Sequence, residues 1–399
     1  MHRISVPVRD DWKQTAREHG FTFHSSGEMP YWDESAYYRF SLRQVEEDLE
    51  TPAEGIEEMC FAVVERAARD DEVLRRLAIP EGFWDHVAES WRRRHRNLYG
   101  RMDFSYDGRG PAKLLEYNAD TPTTLYESAI FQWNWLEQAM ERGLIPRGCD
   151  QFNSLHERLV DAFTRFNISG PLHLACASGS DEDKGTVEYI EDCARQGGLE
   201  TRFLHMEEIG IDREGRFTDL DDEPIRTLFK LYPWEWIMAE DFGRYVPASG
   251  VQFIEPAWKA VISNKGVLAL LWEMFEGHPN LLPTYFADDP RVARLGSPYV
   301  QKPLLSREGR NVRVVRDTIN ADQRPEQNGQ RETTEEVEGP YGAEGHVVQA
   351  FHPLGDFDGN RPMLGCWLVA SQAAGLGIRE DRSLITTNEA RFIPHVILD

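Results

Sequence analysis

The chain has 399 residues, a length that suits one large multi-lobed unit or two to three domains. Hydrophobic residues make up 41% of it and charged residues 28%, the balance of an ordinary soluble globular protein. The 44 basic and 68 acidic side chains give a net charge of −24, which argues against a nucleic-acid or anionic-membrane partner unless a local basic patch exists.

The cysteines and the amino-terminal segment indicate the compartment. Five cysteines, an odd number with no CxxC pair, argue against a disulfide framework and against a zinc knuckle. The first residues, MHRISVPVRDDW, lack the apolar core of a signal peptide, and no run of 18 apolar residues occurs. The sequence therefore predicts a soluble cytoplasmic protein with no membrane partner.

Residues 1–100 are predicted to be mostly helical. The segments SLRQVEEDLE and IEEMCFAVVERAARDDEVLRRLA space their apolar residues as a helix does, with an interruption at Pro52. The basic cluster WRRRHRNLYG (91–100) fits either an anion-binding patch or a solvated helix end whose cations suit the helix dipole. The acidity of the whole chain favours the solvated helix end.

Residues 101–118 are predicted to form a two-stranded antiparallel ribbon. Asp107-Gly108-Arg109-Gly110 is a turn signal between two runs of alternating polarity. With those four residues as the loop, directly opposed residues share a face of the ribbon. One face then carries Arg101, Asp103, Glu116 and Asn118, and the other carries Met102, Phe104, Tyr106, Leu115 and Tyr117.

The polar face of this ribbon has the ligands of a hard cation. The carboxylates of Asp103 and Glu116 and the amide oxygen of Asn118 suit Mg²⁺, which keeps substrate phosphates in its shell. Arg101 is not a ligand, but its guanidinium could hold a phosphate or a developing oxyanion. The alternative is an exposed hairpin whose polar face only meets water, and the pattern by itself leaves both open.

Residues 121–142 are predicted to form one helix. Thr121 can cap this helix, and Pro122 suits its first position. The free N–H groups at its start would point towards the polar face of the ribbon and form a seat for an anion. Its apolar face is predicted to consist of Leu125, Ala129, Ile130, Trp133 and Leu136.

The rest of the chain divides into an α/β part and a strand-rich part. LHLACAS, DKGTVEYIEDCARQ and ETRFLHM predict a βαβ unit within 171–255, without a GxGxxG dinucleotide motif. After the capped helix SNKGVLALLWEMFEG, the segment YVQKPLLSREGRNVRVVRD predicts two strands joined by a glycine-bearing loop. Residues 321–339 are predicted to be a solvated, turn-rich excursion. HVVQAFHPL, MLGCWLVAS and QAAGLGIRED complete a mostly antiparallel sheet.

Four separated segments carry a family resemblance: LLEYNADTPTTLYE, EPAWKAVISNK, YVQKPLLSREGRNV and GIREDRSLITT. Together they resemble the synthetase domain of the glutathionylspermidine synthase family, and still more its stand-alone bacterial members, described as acid–amine ligases. The resemblance covers essentially the whole chain and implies an ATP-grasp fold of the α/β (α+β) class. One synthetase unit over 1–399 is expected, with a helical region (1–100), a metal-binding ribbon and helix (101–170), a βαβ lobe (171–255) and an ATP-grasp lobe (256–399).

The resemblance also implies a reaction. A member of this family uses ATP and Mg²⁺ to convert a carboxylate to an acyl phosphate, and an amine then displaces phosphate to leave an amide and ADP. In the prototype the acid is glutathione and the amine is spermidine. The expected partners are therefore a small-molecule acid, such as glutathione or a peptide, and an amine, such as a polyamine.

Individual roles follow from the matched motifs. Asp103, Glu116 and Asn118 match magnesium ligands. Arg101 and Arg379 match catalytic arginines, and Lys265 and Lys302 match lysines that hold the nucleotide phosphates. Thr121, Thr123 and Arg307 match residues that contact the acid substrate or its lid. From the residues alone, Lys265 and Lys302 could instead face water, and Arg379 could pair with a nearby acid.

Three further residues are predicted from their positions in the expected fold. Gln349 ends a strand where such proteins read adenine. Ser306 and Gly309 lie in a loop that could close over the phosphates and exclude water, which matters because a wet acyl phosphate hydrolyses.

Several questions stay open at the level of sequence. The family prototype carries an amino-terminal amidase domain with a catalytic cysteine, and no such activity is expected here. The acidic residues that would hold a polyamine are not identified. The alternative functions are a non-catalytic ATP-binding protein that acts through partners, and a ligase for a different acid and amine.

Overall fold

The computed structural model describes residues 1–26, 29–318 and 330–399. Its α-helices are α1 (Trp12–Glu18), α2 (Leu42–Val45), α3 (Thr51–Ala67), α4 (Asp71–Arg76), α5 (Trp84–Arg92), α6 (Gln132–Glu141), α7 (Leu155–Thr164), α8 (Asp181–Gln196), α9 (Trp234–Ala239), α10 (Lys259–Ser263) and α11 (Gly266–Met274). Two π-helical segments, Glu46–Glu50 and Glu127–Phe131, precede α3 and α6, and short 3₁₀ turns occupy Glu81–Phe83, Met206–Glu208, Asp241–Ala248 and Pro290–Arg294.

The strands of the described residues follow the same chain order. They are β1 (His2–Ser5), β2 (Ser25–Ser26), β3 (Met29–Pro30), β4 (Ala36–Phe40), β5 (Tyr99–Ser105), β6 (Lys113–Asn118), β7 (Leu172–Cys176), β8 (Thr201–His205), β9 (Gly210–Ile211), β10 (Phe217–Thr218), β11 (Thr227–Leu231), β12 (Gln252–Ile254), β13 (Thr284–Phe286), β14 (Tyr299–Pro303), β15 (Arg313–Thr318), β16 (Gln330–Glu336), β17 (His346–Ala350), β18 (Arg361–Val369), β19 (Gln372–Asp381), β20 (Arg391–Phe392) and β21 (His395–Ile397).

Three larger sheets organise these strands. A parallel sheet has the order β12-β11-β7-β8, and α8 connects β7 to β8, so the predicted βαβ unit is confirmed. Two antiparallel sheets have the orders β20-β19-β18-β5-β6 and β13-β17-β14-β15-β16, which confirms the antiparallel prediction for the carboxyl-terminal part. The ribbon strands β5 and β6 thus share a sheet with strands more than 200 residues further along the chain.

The predicted polar face is present at the end of the ribbon that carries Arg101 and Asn118. Arg101 lies opposite Asn118, and Asp103 opposite Glu116, so these four residues share one face. A β-bulge between Asp103 and Phe104 then shifts the register. The assignment of Leu115 to the apolar face is therefore wrong: Leu114 is fully buried in the core, and Leu115 lines the cavity described below.

The helix predicted at 121–142 begins later, at residue 125, so the prediction that Thr121 caps it is wrong. Thr124 has φ +72°, which no α-helix accommodates, and Arg101 donates hydrogen bonds to the Thr123 carbonyl and the Thr124 hydroxyl. These contacts hold the segment before the helix against the ribbon.

The apolar face of this helix also differs from the prediction. Trp133 is 39% exposed, whereas Trp135 is buried. The π-helical segment Glu127–Phe131 inserts one extra residue into the turn, and this insertion rotates the following residues relative to a regular helix. A pattern that assumes 3.6 residues per turn therefore selects the wrong tryptophan.

Part of the polar excursion predicted at 321–339 is a strand. Residues 319–329 lie outside the described residues, but β16 pairs with β15 at the edge of its sheet. Its sequence, QRETTEE, is rich in charged residues, which are typical of a strand at the edge of a sheet.

The main core joins helices to both the ribbon and the parallel sheet. Buried residues of α3, α10 and α11 pack with Met102, Phe104 and Tyr117 of the ribbon. All five cysteines are buried free thiols. Within the described ranges, no helix combines the length and the apolar character needed to cross a membrane.

Candidate active site

A cavity of about 690 Å³ opens between the polar face of the ribbon and the sheet that contains β14 and β17. Tyr31, the start of α8 and the loop after β14 also contribute to its wall. Eleven of the thirteen predicted site residues line it: Arg101, Asp103, Glu116, Asn118, Thr121, Thr123, Lys302, Arg307, Gly309, Gln349 and Arg379. Lys265 and Ser306 lie behind this wall, and Lys265 still reaches the site through Glu116.

The three predicted metal ligands are in mutual contact. The Asn118 side-chain nitrogen donates to Asp103 Oδ2 at 2.9 Å and to Glu116 Oε1 at 3.2 Å. Two opposed carboxylates and an amide at the edge of a cavity form the kind of oxygen donor set that Mg²⁺ takes together with substrate phosphates. In the described parts of the chain, no group of three or more His, Cys, Asp and Glu residues is placed to hold a metal. The amide of Asn118 would complete such a donor set, and a bound cation would need its oxygen, rather than its nitrogen, turned towards the carboxylates.

Arg101 is fixed against Asp103. Its Nε donates to Asp103 Oδ1 at 2.7 Å and its Nη2 to Asp103 Oδ2 at 3.0 Å, and the Asp103 side chain is fully buried. Burial raises the pKa of Asp103, and the guanidinium of Arg101 opposes that rise. Because this pair is bidentate and enclosed, Arg101 presents its charge to the cavity in one defined orientation.

Two lysines approach Glu116, Lys302 from β14 and Lys265 from the turn between α10 and α11. Lys265 Nζ lies 3.1 Å from Glu116 Oε2 and donates to the Ser306 carbonyl at 2.9 Å. Burial opposes the ionisation of Glu116, but Lys265 and Lys302 more than offset it and lower its pKa to about 2. Burial also lowers the pKa of Lys302 to about 8. Neither lysine faces open water, since both are more than nine-tenths buried.

Lys302 is held by the residue that was predicted to read adenine. Its Nζ donates to Gln349 Oε1 at 2.7 Å and to the Leu115 carbonyl at 2.8 Å. Gln349 is on β17, opposite Val300 of β14, and is 2% exposed. Its side-chain oxygen is therefore occupied by Lys302, and the adenine-reading role stays a prediction.

Three donors near the cavity have no hydrogen-bond partner among the described residues. They are Arg379 Nε, Arg307 Nε and the Ser306 hydroxyl. Arg379 makes no ion pair with an acid in the described ranges, and its Nη2 donates to the Thr387 carbonyl at 2.6 Å. A buried donor without a partner costs free energy. These atoms are therefore suited to an anionic or carbonyl-bearing ligand.

The loop after β14 reaches across to the parallel-sheet region. Arg307 Nη2 lies 3.2 Å from Glu235 Oε1 of α9, and the guanidinium stacks on Trp236. Gly309 has φ +68°, and a Cβ at this position would lie 2.9 Å from the Thr386 carbonyl oxygen. The loop thus forms one side of the cavity and packs against α9 through Arg307 and against Thr386 near Gly309.

The sequence interpretation missed the acidic side of the cavity. Glu182 and Asp183 at the start of α8 line it, together with Glu308 and Glu389. Ser180 caps α8 by accepting a hydrogen bond from the Asp183 N–H. Burial raises the pKa of Glu182 and of Asp183. The acidic run SDED at 180–183 was a visible signal, but only the fold shows that it meets the ribbon.

The sequence comparisons show which family this chain belongs to. The family model described as glutathionylspermidine synthase preATP-grasp matches residues 3–398. A Haemophilus influenzae protein named "Putative acid--amine ligase" is 39% identical over 411 residues, which cover 99% of each chain. Trypanothione synthetase from Crithidia fasciculata is 28% identical over 81% of this chain and 51% of its own length. The bifunctional glutathionylspermidine synthetase/amidase of Escherichia coli is 25% identical over 94% of this chain and 61% of its own length.

The chain therefore spans about half to three fifths of these two longer relatives. Among solved structures, a glutathione synthetase-like effector from Globodera pallida superposes with a TM-score of 0.54. The match covers 91% of this chain and 89% of that one at 11% sequence identity, so the likeness describes the fold alone.

Proposed function

We propose that this chain, which belongs to the glutathionylspermidine synthase family, is an ADP-forming acid–amine ligase that uses ATP and Mg²⁺. Its fold is ATP-grasp-like, and its relatives carry the names ligase and synthetase. The observation that supports the proposal best is the convergence around one cavity of two carboxylates, two lysines and two arginines from remote segments. A merely solvated hairpin would not bury these groups against each other.

In the first step, a carboxylate oxygen of the acid substrate attacks the terminal phosphorus of ATP, and ADP leaves. Asp103, Glu116 and Asn118 would hold magnesium, whose chemistry is to offset phosphate charge during transfer. Lys265 and Lys302 supply positive charge for the nucleotide phosphates. Arg101, oriented by Asp103, stabilises the transferring phosphoryl group.

In the second step, the amine nitrogen attacks the acyl carbon, and the bond to phosphate breaks to leave an amide. The unpaired Nε–H of Arg379 would donate to the oxyanion that develops on the acyl oxygen. The ion pair between Arg307 and Glu235 would hold the loop over the cavity and so keep water from the acyl phosphate. Thr121 and Thr123, which line the cavity, would contact the acid substrate.

The charge distribution of the cavity suggests where each substrate binds. The ribbon and lysine side is positive and suits the phosphates and the acid. The side formed by Glu182, Asp183, Glu308 and Glu389 is negative and suits a cationic amine such as a polyamine. Glutathione and a polyamine, the substrates named for relatives of the family, are therefore the first pair to test.

The decisive assay follows ADP release and product mass with ATP, Mg²⁺, glutathione and a panel of polyamines, omitting each component in turn. A ligase releases ADP only when acid and amine are both present, and its product weighs one water less than their sum. ATP binding without turnover on any acid and amine in a wider panel would favour a non-catalytic nucleotide-binding protein instead. Chelation of Mg²⁺ by EDTA should stop the reaction.

Glu116→Gln tests the metal site in the same assay. We expect ADP release to fall roughly 100-fold or more, because metal-assisted phosphoryl transfer depends on several kcal/mol of charge stabilisation. The control is Glu81→Gln at an exposed site, which should keep wild-type activity. Unchanged circular dichroism would show that Glu116→Gln is folded, and full activity in this folded variant would refute the proposed site.

A further inference from the structure

Tyr31 and Glu127 form a pair that the steps above do not use. Tyr31 lines the cavity, and its hydroxyl donates to Glu127 Oε1 at 2.5 Å. Glu127 lies directly behind Tyr31, is 1% exposed and begins the π-helical segment Glu127–Phe131. π-Helical turns within α-helices are frequent at functional sites.

A buried carboxylate at this position has no evident structural purpose. Among the described residues, no cation lies within ion-pair distance of Glu127. Its carboxylate accepts a side-chain hydrogen bond from the Tyr31 hydroxyl. A charged group buried without a cationic partner is costly, and a glutamine would make the same hydrogen bond at a lower desolvation cost. The carboxylate is therefore suited to a role that a glutamine cannot fill.

The surroundings of Glu127 poise it between two protonation states. Burial raises its pKa to about 7, and the nearby negative charge of Glu182 on α8 acts in the same direction. The Tyr31 hydroxyl and the cation Arg379 on β19 oppose the rise. Burial likewise raises the pKa of Tyr31, so its phenol stays protonated.

The ligation chemistry needs a proton acceptor on this side of the cavity. When a neutral amine attacks an acyl phosphate, its nitrogen must lose a proton to become an amide nitrogen. The arginines and lysines of the cavity are proton donors, and Asp103 and Glu116 are paired with Arg101 and Lys265. Like Glu182 and Asp183 on the acidic side, Glu127 is a carboxylate without such a pairing, and it differs from them in reaching the cavity through the Tyr31 hydroxyl.

We propose that Tyr31 and Glu127 form a proton relay that deprotonates the attacking amine, with Tyr31 contacting the amine and Glu127 positioned behind it. The proposal rests on the proposed function. The amine nitrogen forms a bond to the acyl carbon, and its excess proton passes to the Tyr31 oxygen as the Tyr31 proton moves to Glu127. The carbon–oxygen bond to phosphate breaks, and its electron pair leaves with inorganic phosphate. Water later takes the proton from Glu127.

The test separates the two half-reactions in the full-length protein with an acid substrate found active in the assay above. Hydroxylamine reacts with acyl phosphates unaided, so hydroxamate formation reports the phosphorylation step alone. For Glu127→Gln and Tyr31→Phe we expect hydroxamate formation within about threefold of wild type, and amide formation with the polyamine reduced roughly 100- to 1000-fold. The matched control is Tyr126→Phe. Tyr126 precedes Glu127 on the same helical segment but does not line the cavity, and its hydroxyl donates to the His19 carbonyl.

The pH dependence of kcat/KM for the amine distinguishes a proton relay from a purely structural role of Glu127, which would leave this dependence unchanged. In the wild type, kcat/KM for the amine should rise with pH through about 7, because the acceptor must be ionised. Glu127→Gln should lose this limb while hydroxamate formation keeps its own pH dependence. Equal losses in both half-reactions, or a retained limb in Glu127→Gln, would overturn the relay alone. A wild type that forms neither hydroxamate nor amide would overturn the proposed function and the relay with it.

Discussion

At the scale of the residue, Arg101 can lie along the ribbon because the neighbouring strand carries a glycine. Gly365 on β18 pairs with Asp103, and a Cβ built on it would lie 2.6 Å from Cδ of Arg101. Gly377 on β19 pairs with Gly365 on its other side, and a Cβ built on Gly377 would lie 2.5 Å from the Ser128 hydroxyl. Gly365 therefore makes room for Arg101 of the site, and Gly377 makes room for the buried Ser128.

Gly365→Ala tests this arrangement. The added methyl group must displace the Arg101 guanidinium, whose interaction with the transferring phosphoryl group would then be weakened. We expect kcat for ADP release to fall about 10- to 100-fold, since a misplacement of about 1 Å can cost that much. Gly55→Ala in α3, where a Cβ meets nothing within 4 Å, is the control and should leave kcat unchanged. Wild-type kcat in Gly365→Ala would show that the position of Arg101 does not matter.

At the scale of the element, a buried ion pair joins the end of the ribbon to the parallel sheet. Lys230 Nζ on β11 donates to Asp120 Oδ1 at 2.6 Å and to the Tyr232 carbonyl at 2.9 Å. The second carboxylate oxygen of Asp120 accepts from the Trp234 N–H at 2.8 Å, at the start of α9. Both partners are almost completely buried, so the segment that follows Asn118 is tied to the sheet on that side.

Removing one partner of the Lys230–Asp120 ion pair should lower the stability of the folded protein. Lys230→Met leaves the Asp120 carboxylate buried without its cation, and we expect the free energy of unfolding to fall by about 3–5 kcal/mol. Urea denaturation followed by tryptophan fluorescence measures this loss. The double variant Lys230→Met with Asp120→Asn should recover part of it, because no unpaired charge is then buried.

The control for this prediction is Lys184→Met. Lys184 makes an exposed i,i+4 pair with Glu188 on α8, with half of its side chain accessible. Such pairs contribute little, so a change of at most about 0.5 kcal/mol is expected. An equally small change in Lys230→Met would mean that the buried pair does not tie the ribbon to the sheet.

At the scale of the whole molecule, the two ends of the chain meet. The three-stranded sheet β1-β4-β21 combines strands from the first 40 and the last five residues. His395 on β21 is fully buried and bridges two other regions: its Nε2 accepts from the Phe152 N–H at 3.1 Å, and its Nδ1 donates to Gln132 Oε1 at 3.0 Å. These two hydrogen bonds need a neutral imidazole.

His395 should make the stability of the protein depend on pH. Burial lowers its pKa to about 3 from the ordinary value of 6.5. His395 is therefore protonated below about pH 6.5 in the unfolded chain, but only below about pH 3 in the folded protein. The contribution of His395 is complete above pH 6.5 and is lost as the pH falls, at about 1.4 kcal/mol per unit.

Denaturation curves between pH 7 and 4 check this prediction. His395→Gln should be less stable at pH 7 but should lose stability less steeply on acidification than the wild type. His2→Gln, at an exposed position on β1, should keep the wild-type slope. Parallel slopes for wild type and His395→Gln would contradict the prediction.

The polar face of the ribbon and the family could both be predicted from the sequence alone. Side chains alternate along a strand, so one assumed turn was enough to place Arg101, Asp103, Glu116 and Asn118 on one face, as the structure has them. The sequence also predicted the βαβ unit and the carboxyl-terminal antiparallel strands, because each depends on local periodicity. Four motifs in the same order then indicated the family, and the family model matches residues 3–398.

The contacts between remote segments could not be predicted in this way, because they depend on the packing of the whole chain. The bulge that turns Leu115 towards the cavity and the π-helical turn that exposes Trp133 depend on neighbours that a local pattern does not contain. Tyr31 meets Glu127, and Gly365 meets Arg101, only because strands and helices far apart in the chain pack together. Contacts of this kind arise from burial and shape across the whole molecule, so no short stretch of the sequence encodes them.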